Sequence, residues 1–384
     1  MDNELVYLDH AAATPLDDRV FAAMQPYFSK QFFNPSSPYA PAVQVRRDYE
    51  HAKHRLAMCI GGKADDIVIT AGATESIGLI FGSVSGHVVS TAIEHQAVLA
   101  AATQHDYTFV TTSPYGVVSA KEIAGAIQPN TQLVSVGLAN NELGTIQPLR
   151  EIATVVRMER QRRFEAGDQT PLYFHTDASQ GVGQIDVHVA RLGVDAITIN
   201  AAKIYGPKQV ALLWAANHVK LAPYLLGGGQ ERGLRSGTEN VAGVIGFATA
   251  LELATAHRNY EAIRLAALRN RLQIALCTAF PQAIVTGHIK KRLSGHLHIA
   301  FPGIDAERLV FALETKGVMV ATGSACAANK GTRSHVLTAI GMEPAVADGS
   351  LRLTLGRLTD EQTIERAVAI LVEVIHSEYT RSSR

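Results

Sequence analysis

The sequence predicts an α/β protein: a large domain on a mainly parallel sheet, followed by a smaller α+β C-terminal domain. Two patterns carry that prediction. Short β-rich apolar runs alternate with helical patterns through the first two thirds of the chain, as in a sheet covered on both faces. The last third mixes separate helices and strands, entered through a long helix expected from about Asn240 to His257. At about 150 residues per domain, 384 residues give two to three domains. Residues 14–257 are assigned to the large domain, and 1–13 with 258–384 to the small one.

The elements follow in order. Residues 67–70 read as a strand that runs into Gly72-Ala-Thr-Glu-Ser76 and an apolar helix. Residues 87–91 form a second strand, with a helix from about Glu94. Residues 133–138, 172–175 and 194–199 are further apolar strands, and 210–214, after Gly206-Pro207, should return antiparallel to 194–199. Beyond the long helix come a helix near 263–276, a strand at 297–301, a helix at 306–316 and a strand around 351–355. The final helix carries a capping box, Thr359 with Gln362, and apolar positions Ile364, Ala367, Leu371, Val374 and Ile375 at helical spacing.

Composition narrows the function. Hydrophobic residues make up 47% and charged residues 18%, as in an ordinary globular chain. Lysine plus arginine (35) balances aspartate plus glutamate (35), so neither nucleic acid nor an anionic membrane is an expected partner. No apolar run approaches the ~18 residues that span a bilayer. The start, Met1-Asp2-Asn3-Glu4-Leu5, is acidic where an export signal would be basic. Three cysteines, Cys59, Cys277 and Cys326, form no disulfide framework and no CxxC pair. A reducing, cytoplasmic setting is expected.

The most chemical segment is Asp195-Ala-Ile-Thr-Ile-Asn-Ala-Ala-Lys203-Ile-Tyr-Gly-Pro-Lys208. A lysine at such a turn is ordinarily solvated. Set among alanines it can instead be desolvated and nucleophilic, a Schiff-base lysine. Pyridoxal phosphate would require three companions. Its phosphate needs backbone N–H donors at a helix N-terminus, which Gly72-Ala73-Thr74-Glu75-Ser76 supplies. Its pyridine nitrogen needs a carboxylate; Asp177 stands at the carboxyl end of a strand, where ligands gather on parallel sheets. Gln180 could donate to the ring oxygen, and His95, opening a helix, could cover the ring. Asp177 could equally be a helix cap and His95 a surface residue, but four such residues at strand ends of one sheet are hard to assemble by accident.

These residues belong to a longer set: Tyr7-Leu-Asp-His-Ala-Ala-Ala-Thr-Pro15, Asn34-Pro-Ser-Ser37, Gly72-Ala-Thr-Glu75, Glu94-His95, Asn140-Asn-Glu-Leu-Gly144, His175-Thr-Asp-Ala-Ser-Gln180, Lys203-Ile-Tyr-Gly-Pro-Lys208, Gly227-Gly-Gly-Gln-Glu-Arg-Gly-Leu-Arg-Ser-Gly-Thr-Glu-Asn240, Gly323-Ser-Ala-Cys326 and Leu351-Arg-Leu-Thr-Leu-Gly356. With it the chain resembles, nearly end to end, the cysteine desulfurases of iron–sulfur cluster assembly. They form a class V branch of the aminotransferase-like, pyridoxal-phosphate-dependent enzymes. The resemblance implies fold type I, with a seven-stranded sheet in the large domain. It implies Lys203 as the cofactor's Schiff-base residue, Asp177 against the pyridinium, His95 on the ring, and Asn141 and Gln180 near its hydroxyl. Ala73, Thr74 and Asn200 would lie at the phosphate. Thr238 would reach the phosphate of a neighbouring subunit in a homodimer. Arg352 with Asn34 would hold the carboxylate of L-cysteine, since a guanidinium fork suits that task. Cys326 would take the sulfur as a persulfide, leaving L-alanine, and pass it to an acceptor protein such as a cluster scaffold.

Cys326 suits that part on its own terms. Cysteine is usually a small core hydrophobe, which fits Cys59 and Cys277 on helical patterns. Cys326 lies among small, turn-forming residues, where a thiol can be exposed and Lys330 or Arg333 could lower its pKa. The chain also departs from the family. Asn200 and Ala202 replace a usual serine and histidine before the lysine, Tyr39 stands where a histidine is common, and Ala327 and Ala328 replace serines. A related class V reaction, such as selenocysteine lysis or transamination, is an alternative, as is a non-catalytic assembly scaffold.

Other clusters point to little. His296 and His298 share a strand face, and His51 and His54 a helix face, each pair without a third ligand, so no metal is expected. Arg157, Arg160, Arg162 and Arg163 read as a solvated face at a helix C-terminus.

Overall fold

The computed structural model describes residues 5–323 and 333–382. Its strands, in chain order, are β1 (Val6–Tyr7), β2 (Ile67–Thr70), β3 (His87–Thr91), β4 (Tyr107–Val110), β5 (Thr131–Ser135), β6 (Tyr173–Asp177), β7 (Ala196–Asn200), β8 (Ala211–Ala215), β9 (Ile284–Thr286), β10 (His296–Ala300), β11 (Val318–Met319) and β12 (Ser350–Thr354). Seven of them form the central sheet in the order β2-β8-β7-β6-β5-β3-β4. The β8 strand runs against both neighbours, in register Ile199 opposite Leu212, as expected for the return after Gly206-Pro207. The other pairings are parallel.

Alternation along the strands explains the layers. Ile67, Ile69, Val89, Val134, Phe174, Ile197 and Leu212 face one core with Val45 and Leu56 of helix Ala40–Ile60 and Val244 and Phe247 of helix Val241–Ala279. Val68, Val88, Leu133, Tyr173, Ala196 and Leu213 face the other side, against Ile77, Ile80 and Phe81 of helix Ala73–Phe81. Successive side chains point to opposite faces, so a sheet covered on both sides needs nearly continuous apolar strands. A second core joins β10 and β12 to Val6, Leu8 and helix Glu361–Ser382. Its three-stranded antiparallel sheet has the order β12-β10-β9, and β1 pairs in parallel with β11.

Three sequence expectations need correction. The helices expected near 240–257 and 263–276 are one, Val241–Ala279, of 39 residues and about 58 Å. The stretch between them, His257-Arg-Asn-Tyr-Glu-Ala-Ile263, holds no glycine or proline to stop it. Val244, Phe247 and Leu251 of this helix pack in the first core, and Leu265, Leu268, Leu272 and Leu276 in the second. The last helix is capped by Asp360, whose carboxylate accepts from the N–H and hydroxyl of Thr363, both at 2.7 Å. Thr359 instead accepts from the Gly356 N–H. Finally, β4 and the short strands β1, β9 and β11 stood out in no apolar run. Among the described residues, no helix is long and apolar enough to cross a membrane.

Candidate active site

The parallel strands deliver their carboxyl ends to one cavity of about 330 Å³. Its walls include nine of the residues singled out in the sequence: Ala73, Thr74, His95, Asn141, Asp177, Gln180, Asn200, Lys203 and Arg352. They arrive from six separate stretches of chain.

Lys203 closes a 3₁₀ turn, Ala201–Lys203, that follows β7 directly. Asn200 starts that turn by accepting the Ala202 N–H on Oδ1 at 3.0 Å. Lys203 Nζ donates to the carbonyls of Ala11 (2.8 Å) and Ala12 (2.7 Å). The same loop is tied from the other side, since Thr14 donates to the Ala202 carbonyl at 3.0 Å and accepts from the Tyr205 N–H at 2.8 Å. The amine is therefore aimed by two carbonyls, not left in water. Gln180 Nε2 also reaches Ala11 O, at 3.1 Å.

Asp177 is the last residue of β6, and its Oδ1 accepts the Ser179 N–H at 2.9 Å. His95 is the N-cap of helix Gln96–Ala102, with Nδ1 accepting from the Ala97 N–H at 3.1 Å. Burial pulls its pKa below the usual histidine value, with Lys203 and His335 adding to that and Asp177 opposing it. The ring is neutral near pH 7, and the bond from Ala97 leaves the proton on Nε2. Beneath Asp177, His175 is fully buried between Ser135 and Thr198, which holds it down to about 4.

Arg352 projects from β12 with only 2% of its side chain exposed. Its Nη2 donates to Asp9 Oδ1 at 2.6 Å and its Nη1 to the Asn141 carbonyl at 3.2 Å. Nε has no partner among the described residues.

At the far end, helix Ala73–Phe81 starts without a side-chain cap on Gly72, and Ala73 and Thr74 line the cavity. An uncapped helix N-terminus presents free N–H donors and the positive end of the helix dipole. Amine, carboxylate and anion-binding helix start thus share one cavity, and this donor set fits the amine-reactive, pyridine and phosphate ends of pyridoxal phosphate.

Two expected residues lie elsewhere, and a third is not among the described residues. Thr238 is exposed and lines a separate cavity of about 180 Å³ with Thr70, Ala71 and Arg235. Asn34 is exposed, and its Oδ1 accepts the Ser36 N–H at 2.9 Å in a local turn. Cys326, like Lys330, Ala327 and Ala328, lies outside the described residues. Arg333 is described: it forms a two-point ion pair with Asp348 at 2.7 and 2.8 Å.

Three residues of the quoted motifs carry structural roles that the sequence did not assign them. Glu94 is buried, its carboxylate accepting from Thr91 Oγ1 (2.7 Å) and the Gly137 N–H (3.0 and 3.1 Å). Burial pushes its pKa up to about 7. Its i, i+3 spacing from Thr91 was the available signal. Asn140 donates to the Ile93 carbonyl and accepts two N–H groups, so it shapes the wall. Asp9 stands in the Tyr7–Pro15 motif, but nothing local marks it as the partner of Arg352.

The side clusters resolve as structure. His296 and His298 are buried and neutral, each held near pKa 3 by burial, and are not polar-face residues. Among the described residues no group of three or more metal-ligating side chains occurs. In the arginine cluster, Arg163 is 2% exposed and donates to Glu159 and the carbonyls of Thr131 and Gln128; Arg160 binds Asp195. These two are internal ties, while Arg157 and Arg162 face solvent. Cys59 and Cys277 are half-buried, with thiols pushed up in pKa by burial.

Residues 6–367 match the family described as aminotransferase class-V. The chain is 38% identical over 381 residues to cysteine desulfurase IscS 1 of Archaeoglobus fulgidus, covering 96% of each chain. It is 35% identical over 386 residues to cysteine desulfurase IscS of Methanosarcina thermophila, covering 97% of this chain and 93% of that one. Among solved structures it is similar to a NifS-like protein, with TM-score 0.89 and 30% identity over 97% of this chain and 100% of that one. It is also similar to SspA in complex with cysteine, with TM-score 0.75 and 30% identity over 91% and 98% of the two chains.

Proposed function

We infer, on the premise that this chain belongs to the aminotransferase class-V family, that its cavity is the pyridoxal phosphate site of a cysteine desulfurase. The enzyme converts L-cysteine to L-alanine and moves the sulfur to a protein thiol. The observation that carries the site assignment is the meeting of Lys203, Asp177, His95 and Arg352 around one cavity. When bound, pyridoxal phosphate supplies an electron sink that accepts charge from the substrate's Cα and returns it at Cβ.

Each residue then has a task. Lys203 would hold the cofactor through its Nζ, and as a free amine it would take the substrate's Cα proton and later return one at Cβ. The carbonyls of Ala11 and Ala12 hold that amine on one side of the cavity. Asp177 would keep the pyridine nitrogen protonated. Neutral His95 would cover the ring, and Asn141 and Gln180 would serve its hydroxyl. The N–H groups of Ala73 and Thr74 take the phosphate, with Asn200 shaping the turn beside it. Thr238 completes the phosphate site of a second copy in a homodimer, which accounts for its place outside this chain's own cavity. Arg352, held by Asp9, takes the substrate carboxylate, with Asn34 as its helper.

Cys326 supplies the nucleophile. Its thiolate attacks the substrate sulfur; the carbon–sulfur bond breaks, its electrons pass to Cβ with a proton, and a sulfur–sulfur bond forms. The products are L-alanine and a Cys326 persulfide, with no outside oxidant or reductant. A cytoplasmic sulfur-acceptor protein, such as a cluster scaffold, receives the sulfur. The site assignment is tested by reducing the cofactor-loaded protein with borohydride and mapping the pyridoxyl adduct. It is expected on the Lys203 peptide and absent in Lys203→Ala; an adduct on another lysine contradicts the assignment.

A further inference from the structure

Glu75 stands in an awkward place. It lies in the first turn of helix Ala73–Phe81, the turn whose N–H groups are assigned to the phosphate. A carboxylate there is itself favoured by the helix dipole, so it competes with any other anion for that helix end. Both of its oxygens, however, are drawn away. Oε2 accepts the Ala71 N–H at 2.9 Å, and Oε1 accepts Arg235 Nε at 2.8 Å.

Arg235 comes from a distant segment that is anchored on its own. Four residues earlier in that loop, Glu231 has a side chain only 5% exposed. It accepts from Tyr49 Oη at 2.5 Å, Lys53 Nζ at 3.1 Å and the Ile69 N–H of β2 at 2.8 Å. Glu231 and Arg232 both take left-handed backbone angles, φ 46° and 61°, a conformation non-glycine residues hold only when their surroundings enforce it. The loop is thus fixed to the strand that feeds the helix before Arg235 reaches Glu75.

We propose that Arg235 is a positioning residue for the cofactor's phosphate: it neutralises Glu75 and holds its carboxylate off the helix start. The Ala73 and Thr74 N–H groups then stay available to a phosphate monoester. The proposal rests on reading the cavity as a pyridoxal phosphate site. It predicts that Arg235 acts on its own chain's phosphate through Glu75, not by touching it.

The test is binding, not turnover. Apoprotein of the wild type, Arg235→Gln, Arg235→Lys, Glu75→Gln and the Glu75→Gln/Arg235→Gln double variant is titrated with pyridoxal phosphate and with pyridoxal, which lacks the phosphate. Arg235→Gln should weaken pyridoxal phosphate about tenfold, a charge effect near a helix terminus, and leave pyridoxal unchanged. Arg235→Lys should stay within about threefold of the wild type, and the double variant should return to within about twofold. Unaltered pyridoxal phosphate affinity in Arg235→Gln, equal weakening of both ligands, or no recovery in the double variant overturns the proposal. Should Arg235→Gln not fold, Glu75→Gln decides alone: it should bind pyridoxal phosphate at least as tightly as the wild type, and weaker binding overturns the proposal. A folded wild-type apoprotein that binds neither ligand overturns the cofactor reading itself, and this inference with it.

Discussion

Buried Arg352 Nη2 and half-buried Asp9 Oδ1 form an ion pair at 2.6 Å, joining β12 to the segment after β1. A buried guanidinium is costly unless paired, and Asp9 supplies that partner without closing the cavity, which Arg352 still lines. Replacing Arg352 by lysine keeps the charge but loses the planar fork. The KM for L-cysteine should rise about 100-fold, roughly 3 kcal/mol, with pyridoxal phosphate affinity unchanged. Steady-state kinetics beside a cofactor titration checks this.

Asn200 occupies the place where relatives are expected to carry a serine, and its side chain caps the turn that ends at Lys203. Loss of such a cap costs about 1 kcal/mol. Asn200→Ala should lower pyridoxal phosphate affinity about fivefold, while Asn200→Ser, which can cap the same N–H, should keep it. Equilibrium titration of the two apoproteins compares them.

Acid should destabilise the fold. His175, His296 and His298 are held near pKa 4, 3 and 3 by burial, well below the ordinary value of about 6.5. Between about pH 4 and 6.5 the unfolded chain therefore binds three protons that the folded chain does not, and stability falls as the pH falls. Glu94 works the other way: pushed up to about 7, it keeps a proton that the unfolded chain releases above about pH 4.5, so its contribution falls as the pH rises. Three protons outweigh one. Denaturant unfolding should lose roughly 2–3 kcal/mol per pH unit around pH 5.5, and His298→Gln should reduce that slope by about half.

The arginine helix offers a structural control. Arg163→Ala removes a buried donor to Glu159 and to the carbonyls of Thr131 and Gln128, and should cost about 3 kcal/mol of stability with kcat unchanged. Exposed Arg157→Ala should cost less than about 0.5 kcal/mol. Chemical denaturation of the two variants separates them.

Much of the site was legible because its residues follow strands. Asp177 and Lys203 sit just beyond runs whose apolar patterning marks β6 and β7, and His95 follows β3 in the same way. Two of the roles that escaped share a physical cause, pairing across long sequence separations. Asp9 and Arg352 are 343 positions apart, and the pattern Leu351-Arg-Leu-Thr-Leu355 reads as a half-exposed strand until that partner is seen. Arg163 looked solvated for the same reason, since its carbonyl partners lie on other elements. The false break in helix Val241–Ala279 arose because its apolar stripe changes core midway, while its backbone meets no breaker. The cap shifted from Thr359 to Asp360 because both side chains can accept, and only the local turn decides.

The proposed reaction moves sulfur from L-cysteine at the Lys203 site to Cys326. Peptide mass spectrometry after incubating the cofactor-loaded enzyme with L-cysteine, without acceptor or reductant, tests it most directly. One added sulfur on the Cys326 peptide, formed with stoichiometric alanine and lost in Lys203→Ala, is the predicted result. Alanine formed with the Cys326 peptide unmodified, or an unchanged yield in Cys326→Ser, would contradict it.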